Sequence, residues 1–236
     1  MTRARRGTVY QLTTGPFEEG VAITDDPWND VMHEVGFIPI VASTEQEALP
    51  PPWTVRLSDA RKAVTGRPLS LPLDRIGTER RTLGASDMTI IGEGLVDVLG
   101  LASLLGAPFQ SPPAAAGGTY PRWGRSYWVH QRIANEEKFH LVVSADDLNA
   151  RAPAVSVVRC TSTPRGLEFP ELVRGTHACC GNLTSFPVHA IDLNQLTPVP
   201  TIALPRMRRV AAAIATTHGL GPAVALTDAE LEEILR

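Results

Sequence analysis

Residues 138–163 read KFHLVVSADDLNARAPAVSVVRCTST. An apolar run at 141–143 leads through Ser144 into an acidic turn, and a second apolar run at 155–158 ends at Arg-Cys-Thr. Short apolar runs that are bounded by turn residues are typical of buried strands. The stretch therefore predicts a strand, an acidic turn and a second strand that ends in hydroxyl residues.

A similar stretch occurs roughly 118 residues earlier. Residues 21–29 (VAITDDPWN) overlay residues 141–149 (LVVSADDLN) without a gap, and residues 37–44 (FIPIVAST) resemble residues 155–163 (VSVVRCTST). Four pairs in the same order indicate two degenerate copies of one unit in tandem. The two weaker pairs are the openings at 5–12 and 123–130, and the helical stretches at 95–105 and 206–218, which end before Gly106 and Gly219.

The length of 236 residues and the hydrophobic content of 43% suit two modest domains, each with its own core. The segment at 106–121 (GAPFQSPPAAAGGTYP) is uncharged and rich in Pro, Ala and Gly, as is typical of an exposed linker. The predicted organisation is a first domain at 1–106, a linker at 107–121, a second domain at 122–220 and a tail at 221–236.

Each half shows several short strands, turns rich in Pro and Gly, and then one amphipathic helix. This order predicts a mainly β, α+β fold of small barrels, each capped by a helix. The tail opens with a Thr-x-x-Glu capping box at Thr227 and Glu230, which predicts a short terminal helix. Strands are predicted near 7–12, 20–24, 36–43, 53–57 and 69–76 in the first half, and near 125–130, 138–144, 153–161, 168–173 and 179–186 in the second.

The net charge of −3 is unevenly divided. Residues 1–117 contain 10 Lys and Arg against 14 Asp and Glu, whereas residues 118–226 contain 11 against 7, a net charge of +4. The second half is therefore the better candidate for a surface that binds a polyanion, although an ordinary solvated surface would have the same composition.

Several classes of protein find no support in the sequence. No secretory segment follows MTRARR and no apolar run approaches the roughly 18 residues that span a bilayer, so a cytoplasmic protein without membrane contact is expected. The three cysteines, at positions 160, 179 and 180, lack metal-type spacing and are interpreted as reduced core residues rather than redox groups. Serine-hydrolase, nucleotide-binding and zinc motifs are absent, and no metal or cofactor is expected.

The stretch at 138–163 resembles the core of the MazF/PemK (Kid) toxins of toxin–antitoxin systems. In that family a basic residue opens an RPALVVS…N motif, and a second strand ends in VVPCT. Here Leu-Val-Val-Ser at 141–144, Asn149 and Arg-Cys-Thr at 159–161 stand at the matching positions, and residues 73–83 (LDRIGTERRTL) resemble the family's DQVRTVDRRRL. The resemblance implies two SH3-like barrels of the MazF/CcdB type, fused in one chain. The two barrels would pack together as a dimer of separate chains does, so the chain itself is expected to be a monomer that acts as an intramolecular pseudo-dimer.

The resemblance also implies a metal-free endoribonuclease that cleaves single-stranded RNA by attack of the 2′-hydroxyl. Such chemistry needs a base, an acid and positive charge over the phosphate. By position, the family's Arg and Thr become Lys138 and Thr161. Lys138 keeps the charge but lacks the bidentate guanidinium fork. In the first half these positions fall on or near Glu18 and Ser43, where a carboxylate would repel a phosphodiester.

The two halves are predicted to complement each other in one composite catalytic site of Lys138, Thr161 and Asp74. Asp74 stands at the family's acidic position, for which the second half has Gly181. Structural alternatives are a turn residue for Asp74 and a satisfied strand-end hydroxyl for Thr161. The predicted RNA-binding residues are Arg75, Arg125, Arg132, Trp128 and His130. Trp128 could stack on an unpaired base, and His130 and His140 could exchange protons near neutral pH or be structural.

Two functions follow from the resemblance. One is a ribonuclease toxin with a single site, which a cognate antitoxin silences. The other is a catalytically inactive module of the MazF/CcdB fold that binds RNA, an antitoxin or a protein target. A further hypothesis is that the acidic tail helix covers the basic site and inhibits it.

Overall fold

The computed structural model describes residues 4–42, 52–106, 108, 119–131, 136–166, 169–193 and 201–236. These residues form a mixed α+β structure with two antiparallel sheets, one in each half of the chain. The predicted linker at 107–121 lies almost entirely outside the described residues. The elements of the first half are β1 (Thr8–Leu12), β2 (Glu19–Ala22), α1 (Asp26–Met32), β3 (Glu34–Val41), β4 (Val55–Arg56), β5 (Lys62–Ala63), β6 (Leu69–Pro72), β7 (Ile76–Thr82), α2 (Ala85–Leu99) and α3 (Leu101–Leu105).

The first sheet has the order β4-β5-β3-β2-β1-β7, and β6 also pairs with β3. The elements of the second half are β8 (Ser126–Gln131), β9 (Glu136–Val142), α4 (Asp146–Asn149), β10 (Ala154–Thr161), β11 (Glu171–Val173), β12 (Thr176–Pro187), α5 (Leu204–Thr217) and α6 (Asp228–Leu235). The second sheet has the order β11-β12-β10-β9-β8.

The strands lie close to where the apolar runs predict them, except for the short β5, which the sequence does not predict, and for one strand that is broken. The strand predicted at 69–76 is broken after Pro72 by a 3₁₀ turn, Leu73–Arg75, and the chain then continues as β7. Because the residues of β7 are mostly exposed and charged, it has no apolar run by which the sequence could reveal it.

The predicted helix at 95–105 is two helices. Gly100 adopts the left-handed conformation with φ 63° and ends α2, while its amide bonds the carbonyls of Asp97 and Val96. The predicted cap, Gly106, has φ −66° and is extended. The helix break therefore falls at the glycine whose conformation other residues rarely adopt.

The two halves repeat the same side-chain hydrogen bonds around their acidic turns. Thr24 Oγ1 donates to Asn29 Oδ1 at 2.6 Å, and Ser144 Oγ donates to Asn149 Oδ1 at 2.5 Å. Each hydroxyl also accepts a backbone N–H from the following strand at 3.0 Å, that of Gly36 or of Ser156. The buried amide thus fixes the same strand–turn–strand geometry in each half.

The tyrosines of the opening strands correct the sequence alignment of the halves by one residue. Tyr10 accepts the amide of Arg5, and Tyr127 accepts the amide of Arg122, each at 3.0 Å. The alignment by sequence set Tyr10 against Trp128, because a one-residue shift still matches an aromatic residue. The hydrogen bonds instead pair Tyr10 with Tyr127.

The largest apolar core is shared by both halves, although the sequence predicts a separate core for each. It joins α2 and α3 to α5 and to one face of the second sheet. The helices also exchange main-chain bonds across the halves: the amide of Asp25 donates to Thr217 O in α5, and the amide of Ala145 donates to Val98 O in α2, both at 3.0 Å. Two smaller cores, one for each sheet, lie on the other faces.

The predicted terminal helix is confirmed as α6, with the capping box of Thr227 and Glu230 in place. Its Leu231 is fully buried in the shared core against α5. This docking places α6 in the helical layer.

Candidate functional site

One face of the second sheet carries Lys138 and Thr161, two of the three residues that the sequence predicts to be catalytic. In β9 and β10, His140 lies opposite Arg159, Leu141 opposite Val158 and Val142 opposite Val157. Val142 and Val157 pack in the small core of this sheet, whereas Leu141 and Val158 face the helices. Because side chains alternate along a strand, Lys138 and Thr161 lie on the face opposite the helices.

Lys138 and Thr161 stand next to each other at the end of this face. Each lies two residues beyond the last pair of the β9–β10 ladder, His140 and Arg159. Both side chains are partly exposed. The predicted cation and hydroxyl are therefore at neighbouring strand ends on one face.

The Thr161 hydroxyl accepts a hydrogen bond and keeps its O–H as a donor. Its Oγ1 accepts the backbone N–H of Thr163 at 3.1 Å. A hydroxyl has one proton and two lone pairs, so accepting this bond leaves the O–H able to donate to a phosphate oxygen.

Two polar residues on the same face were missed by the sequence reasoning. Arg159 lies between His140 of β9 and Cys179 of β12, and His177 lies opposite Thr161. The only signal for Arg159 was its place in the strand-end motif, where the family has Pro. His177 lies between the strands predicted near 168–173 and 179–186, so its alignment with Thr161 depends on the register of β10 and β12.

His140 cannot exchange protons near neutral pH in the folded chain. It is 1% exposed, and its Nδ1 bonds Lys138 O at 2.9 Å. Burial, with a smaller contribution from the charges of Arg159 and Lys138, lowers the pKa of His140 to about 4. The imidazole is therefore neutral at pH 7, which favours the structural alternative for His140 over proton exchange.

A carboxylate of the first half reaches this face. Glu34 Oε1 lies 3.9 Å from Arg159 NH1. Its Oε2 accepts Asn182 Nδ2 at 2.6 Å, and the same nitrogen lies 3.1 Å from Ser70 Oγ. The face therefore lies at the junction between the two halves.

Asp74 and Arg75 are exposed in the 3₁₀ turn Leu73–Arg75. The turn is tied to β3, since Pro72 pairs with Glu34 and the amide of Leu73 donates to His33 O at 3.1 Å. The convergence of Asp74 with Lys138 and Thr161 stays a prediction. The first-half carboxylate that does contact the second half is Glu34.

The counterpart of Asp74 in the second half is His189, not Gly181. Pro187 pairs with Ala154 and begins the 3₁₀ turn Val188–Ala190, just as Pro72 pairs with Glu34 and begins the turn at Asp74. The alignment by sequence missed this match because PLDRI at 72–76 and PVHAI at 187–191 share few residues. Whether the counterpart of Asp74 is Gly181 or His189, the second half has no carboxylate at this position.

The first half has an acidic pocket where the second half has Lys138 and Thr161. The pair Ala22–Phe37 of the first sheet corresponds to the pair Val142–Val157 of the second sheet. Counting four residues along each strand makes Val41 the counterpart of Thr161 and Glu18 the counterpart of Lys138. Ser43, the counterpart predicted from sequence, lies outside the described residues. Glu18 and Val41 line a cavity of about 460 Å³.

A ring of ion pairs neutralises this pocket. Arg61 contacts Glu19, and its Nε lies 3.3 Å from Asp59 Oδ2. Arg81 contacts the same two carboxylates, with NH2 2.8 Å from Asp59 Oδ2 and NH1 3.6 Å from Glu19 Oε2. With its arginines engaged and no hydroxyl at position 41, the pocket lacks the groups expected to bind a phosphate.

The predicted RNA-binding residues of β8 and its loop are spread over more than one surface. Trp128 is 46% exposed and forms a tilted ring pair with Phe139 at 5.2 Å. Trp128 pairs with Phe139 in the sheet, so both lie on the face opposite Lys138. Arg125 is exposed and its Nε donates to Thr201 Oγ1 at 3.2 Å. His130 pairs with Glu137 in the β8–β9 ladder, and Arg132 lies outside the described residues.

Within the described part of the chain, no group of three or more His, Cys, Asp or Glu residues is placed to hold a metal ion. No helix among the same residues is long and apolar enough to cross a membrane.

No protein-family model matches the chain, and no curated protein matches its sequence. Among solved structures, the chain is similar to an endoribonuclease in complex with its cognate antitoxin from Mycobacterial species, with 18% identity, a TM-score of 0.37, and coverage of 41% of this chain and 95% of that chain. It is similar to an endoribonuclease from Mycobacterial species at 17% identity and a TM-score of 0.37, over 42% and 94% of the two chains. It is also similar to the Mycobacterium tuberculosis toxin MazF-mt6 at 18% identity and a TM-score of 0.33, over 44% and 99%.

Proposed function

We propose that the chain is a MazF-like toxin, a metal-independent endoribonuclease with one site for single-stranded RNA. The observation that supports the proposal is the position of Lys138 and Thr161, each two residues beyond the His140–Arg159 pair on one face of the second sheet. The sequence resemblance at 138–163 supports the same reading. Under this proposal the two halves form a tandem pseudo-dimer within one chain.

The proposed reaction is transesterification. The RNA 2′-oxygen attacks phosphorus, the bond to the 5′-oxygen breaks, and the 5′-oxygen takes up a proton from water. The products are a 2′,3′-cyclic phosphate and a 5′-hydroxyl. In this scheme Lys138 and Thr161 bind the phosphate oxygens, and Asp74 accepts the proton of the 2′-hydroxyl. Arg75, Arg125, Arg132, Trp128 and His130 are assigned to the RNA on either side of the cut.

One site in each chain is expected because the first half lacks the matching groups. Glu18 and Val41 replace the cation and the hydroxyl, and the nearby arginines are engaged by Glu19 and Asp59. A cognate antitoxin that covers the second-half face is the partner we propose.

The test is cleavage of a long single-stranded RNA in EDTA, followed by mapping of the 5′ ends. Discrete cuts with 5′-hydroxyl ends are expected from the natural chain. The cuts should be lost in Lys138→Ala and Thr161→Val, and weakened in Asp74→Asn. Glu18→Ala is the matched control in the first half and should cut like the natural chain.

An inactive binding module is the second candidate, and the Lys at position 138 in place of the family's Arg favours it. Folded protein that makes no cuts, but still binds the same RNA, would establish this function instead. Retained cleavage in Thr161→Val would move the site away from the second-half face.

A further inference from the structure

Arg159 is the most conspicuous charged group on the second-half face that the proposed chemistry leaves without a role. It stands two residues before Thr161 in β10, on the same face, so their Cα atoms are about 7 Å apart. Its neighbours across the sheet are His140 in β9 and Cys179 in β12. A phosphate beside the Thr161 hydroxyl would therefore lie within reach of a long side chain at position 159.

The two groups that lie opposite Arg159 in its own sheet carry no charge at pH 7. His140 is neutral at pH 7, and burial raises the pKa of the Cys179 thiol to about 11. On this face the positive charge therefore comes from Arg159 and Lys138. Arg159 keeps 30% of its side chain exposed, so solvent or a ligand can reach it.

Glu34 holds the guanidinium loosely from the other half of the chain. At 3.9 Å its carboxylate is too far from Arg159 Nη1 for a hydrogen bond. The guanidinium also lies beside the neutral Cys179 thiol, which leaves its charge available to a ligand. Glu34 is itself fixed, because Asn182 donates to it at 2.6 Å and is only 8% exposed. A fixed carboxylate at this distance orients a guanidinium without neutralising its hydrogen-bonding edge.

We propose that Arg159, positioned by Glu34 of the first half, is the guanidinium that binds the scissile phosphate beside Thr161. The proposal rests on the proposed function and assigns its phosphate-binding group. A guanidinium binds two phosphate oxygens at once, which the ammonium of Lys138 cannot do. In the sequence motif that the chain resembles, Pro stands at this position, so the strand-end Arg is a property of this chain. Arg159 in β10 thus supplies the bidentate guanidinium that is absent from β9, where Lys138 has an ammonium group.

The experiment measures single-turnover cleavage in EDTA and binding of a 2′-deoxy-substituted, non-cleavable RNA at several salt concentrations. Arg159→Ala is expected to cleave about 100-fold more slowly, in the range seen when one charge-stabilising donor is removed. The slope of the logarithm of its RNA-binding constant against the logarithm of the salt concentration should become about one unit less steep. Arg159→Lys should recover the slope but not the rate. Arg236→Ala, which removes an exposed arginine in the helical layer, is the matched control.

The charge swap Glu34→Arg with Arg159→Glu separates positioning from simple stabilisation. A purely structural ion pair would be restored by the swap, so stability and cleavage would return together. We expect stability to return while cleavage stays lost. Glu34→Gln should slow cleavage, with a smaller effect on stability than Arg159→Ala has.

The outcomes distinguish the two proposals. If the natural chain cleaves and folded Arg159→Ala or Arg159→Lys cleaves at the same rate, the role of Arg159 is overturned and the nuclease stands. If the natural chain does not cleave but its salt slope falls in Arg159→Ala, the nuclease fails and the phosphate contact stands. If the swap restores cleavage, Arg159 is a structural partner of Glu34 and not a ligand of the phosphate.

Discussion

Gly181 allows Trp28 of the first half to pack closely against the second half. A Cβ at this position would lie 2.0 Å from Cε2 of Trp28, and Trp28 in turn stacks on Phe169 at 5.7 Å between ring centroids. Trp28, Phe169 and Cys179 form a buried cluster at the junction. At the junction with the first half, the indole ring of Trp28 therefore occupies the space that a side chain at position 181 would need.

Gly181→Ala is expected to destabilise the chain by about 2 kcal/mol or more, because the methyl group must displace a buried indole ring. Urea unfolding measures the loss, and the near-UV circular dichroism of the tryptophans should change with it. Gly92→Ala is the control, since its Cβ would lie at an ordinary 3.6 Å from its neighbours inside α2. That change should stabilise by about 0.5–1 kcal/mol. Equal effects of the two changes would contradict the packing argument.

Two buried histidines make the fold sensitive to acid. Burial lowers the pKa of both His140 and His218 to about 4. In the unfolded chain each takes up a proton near pH 6.5, so stability is complete above that pH and falls as the pH decreases towards 4. Each histidine contributes about 3 kcal/mol to this loss.

The measurement is the titration of the histidine ring resonances by NMR, together with the free energy of unfolding from pH 7.5 to pH 4.5. The rings of His140 and His218 should keep neutral shifts down to about pH 5, while urea-unfolded protein titrates normally. Ring shifts that move near pH 6.5 in the folded chain would show that neither ring is held neutral.

At the scale of the elements, α6 is a structural helix rather than a cover for the site. Leu231 is fully buried against α5, and Lys138 and Thr161 lie on the other side of the second sheet. Leu231→Ala should cost about 2–5 kcal/mol, and Thr227→Ala, which removes the cap, about 1 kcal/mol. Thermal unfolding measures both.

The same helix decides the autoinhibition hypothesis. Removal of residues 227–236 should lower stability and leave the RNA affinity of the remaining folded protein unchanged. A gain in RNA binding or cleavage on removal would mean that the acidic tail reaches the candidate face.

The local elements of the candidate site could be predicted from sequence, whereas their long-range partners could not. The apolar runs at 141–143 and 155–158 indicated β9 and β10, and Thr227 with Glu230 indicated the start of α6. These signals are local. The contact of Glu34 with Arg159 joins residues from different sheets, and nothing near either residue in the sequence indicates it. The neutral state of His140 likewise depends on burial by distant elements.

Exposed elements and shifted repeats explain the remaining differences. Because β7 is charged and mostly exposed, it has no apolar pattern, and its pairing with β1 follows from the fold. The sequence predicts a repeat, but it does not give the register in which the two halves correspond. Tyr10 and Tyr127 fix that register through their hydroxyls, which a comparison of apolar patterns cannot detect.

At the scale of the whole molecule, the halves should unfold together. Their largest core is common, and the main-chain bonds from Asp25 to Thr217 and from Ala145 to Val98 link each acidic turn to the helix of the other half. Neither half buries its helix without the other. We therefore expect one cooperative transition, with far-UV circular dichroism and tryptophan fluorescence changing at the same urea concentration.

Hydrogen exchange tests this coupling at named positions. The amides of Val9 in β1 and Val157 in β10 should exchange with the same free energy of opening, because only global unfolding exposes both central strands. Asn182→Ala, which removes the bond to Glu34 at the junction, should lower both values by the same amount, about 1–3 kcal/mol. Different changes in the opening free energies of Val9 and Val157, or two separate urea transitions, would show that the halves are independent domains. In that case a site built from both halves would lose its rigid support, and Arg159 would be oriented by its own sheet alone.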